Sequence, residues 1–129
     1  MESVSVQNPA PEVPLDISPQ LTRADVERIL KTAYYLGASD VFFQTGQPIR
    51  MRVHGKNIQT TRRTLTPNEL TTVVDSTVRS TSGAVMSGTP ADYADAVGLD
   101  RVRVVNWRVN ATACAMGARD HGMEVVFRV

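Results

Sequence analysis

Apolar and polar positions alternate in two distinct rhythms along this chain, and the rhythm changes define its elements. The first 20 residues have neither rhythm. Pro9, Pro11, Pro14 and Pro19 interrupt them, so they predict an extended arm or linker, in its simplest form a disordered tail, with a swapped or docking arm as the alternative. A helical rhythm begins after Thr22, which is placed to cap the free amides, with Asp25 at the third helical position. Val26, Ile29, Leu30, Ala33 and Leu36 then form one apolar face, and Gly37 supplies the stop. From Ser39 to Thr45 the period drops to two, with Val41 and Phe43 on one side. Gly46-Gln-Pro48 predicts a turn, and Ile49 to Val53 alternates again, with Ile49, Met51 and Val53 inward and Arg50 and Arg52 outward. Gly55 marks a second turn into Lys56–Thr61, completing a three-stranded meander.

A second helix opens on Thr66-Pro-Asn-Glu69, a capping box with proline at the first helical position. Leu70, Val73, Val74, Thr77 and Val78 fall on one face. Ser80 to Pro90 reads as a small-residue loop, and Asp92 to Gly98 fits neither rhythm. Strands are predicted over Val102–Asn110, Thr112–Gly117 and Met123–Val129, the last two joined through a hairpin tip at Ala118–Gly122. Val102 and Val104 share one parity while Val105, Trp107 and Val109 share the other, which predicts a bulge near Val104. Beyond it, Asn106, Arg108 and Asn110 form a polar stripe on the opposite face. The order α, β, β, β, α, β, β, β predicts an α+β domain over residues 21–129, built on a mainly antiparallel sheet of five to six strands with two main helices. Because the strand pattern runs to Val129, a continuation into a further domain is expected.

A chain of 129 residues has room for one domain with a proper core. Its net charge of +1 gives no field for steering nucleic acid, so no direct nucleic-acid contact is expected. The single cysteine, Cys114, excludes an internal disulfide and suits a reducing compartment. No apolar run reaches the roughly 18 residues a membrane span needs, and Met1–Val6 lacks the features of a secretory signal, so a cytoplasmic location is expected.

Little in the chain suggests catalysis. Gly83-Ala-Val-Met-Ser-Gly88 has the glycine spacing of a phosphate loop, but Thr89 and Pro90 follow where lysine and a hydroxyl residue are required. His54 and His121 lie at separate turns with no ligand spacing, so no metal site is expected. Cys114 alternates with small residues and reads as a buried inert thiol. Asp40, Asp92, Asp95 and Asp100 read as loop and strand-end carboxylates. The arginines Arg50, Arg52, Arg103, Arg108, Arg119 and Arg128 fall on predicted strands or the hairpin tip. Solvated strand faces account for most such arginines; what a rigid sheet adds is forked donors suited to a phosphate.

Several segments together resemble one family. Gly37-Ala-Ser-Asp40, Gln44-Thr-Gly-Gln-Pro48, Arg52-Val-His-Gly55 and Leu65-Thr-Pro-Asn-Glu-Leu70 occur in the order and spacing of the N-terminal domain of PilT/GspE-superfamily secretion ATPases. Arg108-Val-Asn-Ala-Thr112 and Val126-Phe-Arg128 match the two arginine-bearing strands near that domain's end. The form Arg-Val-Asn-Ala-Thr-Ala-Cys is most similar to the DotB/TraJ-type branch of type IVB secretion and plasmid conjugation. Two places depart from the pattern: Phe42 stands where a polar outward residue is common, and Ala91–Asp95 matches the acidic-aromatic strand only loosely. The resemblance implies a PAS-like fold followed by a RecA-like ATPase domain, a homo-hexameric ring, and attachment to secretion or conjugation machinery at the inner membrane. It implies ATP and Mg²⁺ in the intact parent, none held by this domain alone, and no hydrolysis by this chain alone. By motif position it assigns Arg108 and Arg128 to the nucleotide phosphates. Arg119, at the hairpin tip, is a third candidate, for the phosphates or for a neighbouring subunit. A free-standing PAS-type ligand sensor and a docking module without a nucleotide role are the alternatives.

Overall fold

A computed structural model describes residues 13–76, 81–115 and 121–129. Helix α1 (Arg23–Leu36) leads into β1 (Ala38–Gln44), β2 (Arg50–Val53) and β3 (Lys56–Gln59). Helices α2 (Pro67–Asp75) and α3 (Thr81–Met86) follow, then β4 (Ala91–Gly98), β5 (Val104–Ala115) and β6 (His121–Arg128). This is the α+β architecture expected, with all six strands antiparallel in the order β3-β2-β1-β6-β5-β4.

Local chemistry sets the helix limits. Thr22 and Asp25 cap α1 reciprocally, and Gly37 ends it at φ +77°, donating its N–H to the carbonyls of Ala33 and Tyr34. A β-carbon is disfavoured at that left-handed angle, which is why glycine stands there. At α2 the capping box Thr66/Glu69 forms as predicted, but Glu69 does more than cap. Its buried carboxylate accepts from the Leu21 amide (2.7 Å) and from both arms of Arg63 (2.6 and 2.8 Å). Burial alone would raise its pKa; the Arg63 hydrogen bonds and the amides of Thr66 and Leu21 outweigh that and hold it at about 2.

All helices cover the same face of the sheet. Inward positions Val41, Phe43, Met51, Val97, Trp107, Val109, Ala111, Val125 and Phe127 meet Val26, Ile29 and Leu30 of α1, Leu70, Val73 and Val74 of α2, and Val85 of α3 in one core. Phe43 and Phe127 meet edge-to-face with ring centroids 5.3 Å apart. Each fully buried large apolar side chain of this kind contributes roughly 1.5–3 kcal/mol. The last residues of the arm lie against this domain. The Leu15 amide donates to the Thr60 carbonyl, Asp16 pairs with Arg62 at 2.8 Å, and Leu15 and Ile17 pack on the core. Among the described residues no helix is long and apolar enough to cross a membrane.

The second half departs from the sequence pattern in four places. Within the expected loop 80–90, Thr81–Met86 is helical. The ambiguous stretch 92–98 lies within the eight-residue strand β4. Residues 104–115 form one strand rather than two, with Ala111 buried in its middle. No bulge occurs at Val104, because pairing with β4 runs unbroken from Val104↔Gly98 to Ala111↔Ala91. Val102 lies in the turn before β5 and is 87% exposed, so it never shared the strand's parity. Of the predicted apolar face of α2, Thr77 and Val78 lie outside the described residues, as does most of the hairpin tip.

Candidate functional site

The face of the sheet turned away from the helices is where the arginines gather. Side chains alternate strictly along β5 and β6, so burying Trp107, Val109, Val125 and Phe127 forces Arg108 and Arg128 to the outer side. The register then places Arg108 directly opposite Arg128. Asp40 lies opposite Arg128 on its other side, and Arg52 lies opposite Asp40. One row across four strands therefore reads Arg108, Arg128, Asp40, Arg52.

Two like charges directly opposite each other are unfavourable, and a carboxylate flanks each. Arg108 donates from Nε and Nη2 to the two oxygens of Asp92 (3.3 and 2.9 Å). Arg128 donates from Nε to Asp40 Oδ1 at 3.1 Å. The Arg108 hydrogen bond holds the Asp92 carboxyl below its usual range, and Asp92 in turn raises the Arg108 guanidinium. Both arginine side chains remain open to solvent, 71% exposed for Arg108 and 57% for Arg128. Beside them Asp92, Tyr93, Ala94, Asn106, Trp107, Arg108 and Val129 line a shallow depression of about 330 Å³.

The same face continues toward β2. Phe42 lies between Arg50 and Arg52, each guanidinium carbon 5.7 Å from the ring centre. The neighbour opposite Phe42 on β6 is Val126, so an apolar island sits inside the polar face. This accounts for an aromatic where a polar residue is the common pattern.

The remaining sequence candidates do not join this cluster. Arg103 sits before β5 in the turn, paired with Asp100 at 2.8 Å, and Arg119 lies outside the described residues. Asp100, held at about 2 by the Val102 amide, the Arg103 side chain and the Arg103 amide, is a turn carboxylate as expected. Asp95 is not: it is buried mid-strand on the helix side, where Arg23 of α1 grips both its oxygens (2.8 and 2.9 Å). Asp40 lies within β1, while Asp92, the second residue of β4, holds a strand-end position as expected. Cys114 lies on the outer-face parity of β5 and is only half-buried, not a core thiol; partial burial and then Glu124 push its pKa up. His54 occupies the β2–β3 turn at φ +50°, and the side chain of His121 is outside what is described. Among the described residues no three His, Cys, Asp or Glu converge as a metal-binding group. The carboxylate partners Asp40 and Asp92 escaped the sequence reading. The parity of Asp40, opposite to Val41 and Phe43, placed it on the outer face, but only strand register could join it to Arg128.

No protein-family profile and no curated protein matches the chain. Solved structures do. The Legionella pneumophila ATPase DotB superposes with a TM-score of 0.83 and 30% identity, over 90% of this chain and 31% of that one. The Yersinia pseudotuberculosis ATPase DotB gives 0.74 at 17% identity, over 91% of this chain and 35% of that one. The pilus retraction motor PilT, solved with bound ADP, gives 0.58 at 19% identity, over 81% and 28%. The last two likenesses concern the fold. The chain spans about a third of the length of each DotB. Motif order, fold and the match at 30% identity agree, and the chain belongs to the DotB-like branch of the PilT/GspE superfamily.

Proposed function

We propose that this chain is the N-terminal domain of a hexameric type IV secretion or conjugation ATPase, and that it lends Arg108 and Arg128 to a nucleotide site it does not own. The observation that carries this reading is the placement of those two arginines directly opposite each other, solvent-open, on the sheet face that the described helices leave uncovered. Forked guanidiniums presented from adjacent strands suit the oxygens of a polyphosphate. ATP and Mg²⁺ are held by a RecA-like domain following in the longer protein, and the arginines close onto the phosphates from outside. A guanidinium brought to a γ-phosphate in this way contributes on the order of 10³–10⁵ in rate. It also couples domain closure to nucleotide state. Arg119, at the hairpin tip, is assigned to the same phosphates or to the neighbouring subunit. The protein acts in the cytoplasm, peripheral to the inner membrane through its machinery, without touching nucleic acid.

The test is ATP turnover of the longer protein beside the same protein carrying Arg108→Ala. Turnover in the first and its loss in the second support the reading. Equal turnover makes Arg108 an ordinary surface residue, and no turnover in either removes the ATPase assignment.

A further inference from the structure

The arginine pair is already occupied. Arg108 spends two hydrogen bonds on Asp92 and Arg128 one on Asp40, so in this conformation each guanidinium faces an anion of the chain itself. The two carboxylates differ in setting. Asp92 is 51% exposed on β4, whereas Asp40 is 14% exposed and also accepts from the Ser39 hydroxyl at 2.7 Å. Neither pair is needed to hold the strands, whose backbone register is continuous through Ala94↔Arg108 and Asp40↔Arg128.

We infer that Asp40 and Asp92 are resident counter-ions that compete with phosphate for Arg108 and Arg128, so that an anion enters the site by exchange rather than by filling free donors. This rests on the assignment of the two arginines to phosphates and adds the regulation of that contact. Exchange is the physically economical route. The two carboxylates offset the repulsion between the opposed arginines in the unliganded domain, and an exposed ion pair such as Arg108–Asp92 holds its partners by only about 1.5- to 5-fold, weak enough for a polyphosphate of higher charge to displace. The carboxylates then set a threshold: a singly charged anion does not dislodge them, and a multiply charged one does.

The experiment is a titration of the 129-residue chain with inorganic tripolyphosphate at low ionic strength, following the arginine Nε–H resonances by NMR. Wild type is compared with Asp92→Asn, Asp40→Asn and a control, Asp100→Asn, whose carboxylate serves Arg103 in the turn. Asp92→Asn tightens binding at Arg108 and Arg128 by about 1.5- to 5-fold, Asp40→Asn shifts it in the same direction, and the control leaves it unchanged. Unchanged or weaker binding in Asp92→Asn, the exposed site where folding is not at risk, overturns the inference and leaves the arginine assignment standing. Equal tightening in the control reduces it to net charge and overturns it too. Shifts at neither arginine in any variant overturn the inference, and the turnover of the longer protein carrying Arg108→Ala then decides the phosphate assignment separately.

Discussion

Arg108 on β5 and Arg128 on β6 are direct cross-strand neighbours, two guanidinium-bearing residues side by side on a face that none of the described helices covers. Sheets normally avoid that pairing, since like charges opposite each other destabilise. Here Asp92 and Asp40 offset it from the flanks. A domain optimised for stability alone has no use for such a row, which is a physical reason to read it as a functional surface.

Removing either arginine should leave the fold intact. Both side chains are more than half exposed, and truncation relieves the repulsion between them. Arg108→Ala and Arg128→Ala are each expected to change stability by no more than about 0.5 kcal/mol. Urea unfolding of the chain checks this; a loss of several kcal/mol would assign the arginines a structural role.

The chain alone should bind ATP weakly. It contributes two arginines and lacks the lysine of a phosphate loop after Gly88. Calorimetry with Mg²⁺-ATP is expected to show no binding in the micromolar range. Micromolar affinity would mean that the domain owns a complete nucleotide site.

Acid sensitivity should trace to Glu69. Its carboxyl is held at about 2 in the fold against an ordinary 4.5, so its contribution is complete above about pH 4.5 and is lost as pH falls toward 2. That contribution is on the order of 3 kcal/mol for a buried carboxylate so held. Glu69→Gln is expected to be markedly less stable at pH 7, with the gap to wild type closing between about pH 4.5 and pH 2. A gap that stays constant over that range would show that the charge on Glu69 is not what matters.

The grip of α1 on β4 predicts an asymmetry. Asp95 is buried, and Arg23 supplies both of its hydrogen bonds in that pair, whereas Arg23 also reaches Glu27 at 3.1 Å. Arg23→Ala strands a buried carboxylate and is expected to cost about 2–4 kcal/mol, more than Asp95→Asn, which leaves Arg23 a partner. Thermal unfolding of both variants decides it, and the reverse order would show that the carboxylate finds another partner.

What the sequence determined by itself is local. Both limits of α1 and the start of α2 follow from Thr22, Gly37, Thr66 and Pro67, because caps act within a single turn. The β1–β2–β3 meander follows from its alternation and from the turn at His54-Gly55. Arg108 was legible as an outer-face residue because parity alone decides which way a strand residue points. Tertiary structure decided the rest. Ala91–Gly98, rich in alanine and aspartate, becomes a strand because β5 offers it eight partners in register. Val104–Ala115 is one strand because β4 and β6 hold it from both sides. Above all, β1 meets β6 across more than eighty positions of chain, and that pairing alone brings Asp40 to Arg128. A non-local register is set by the burial of a whole face at once, so no window of sequence contains it.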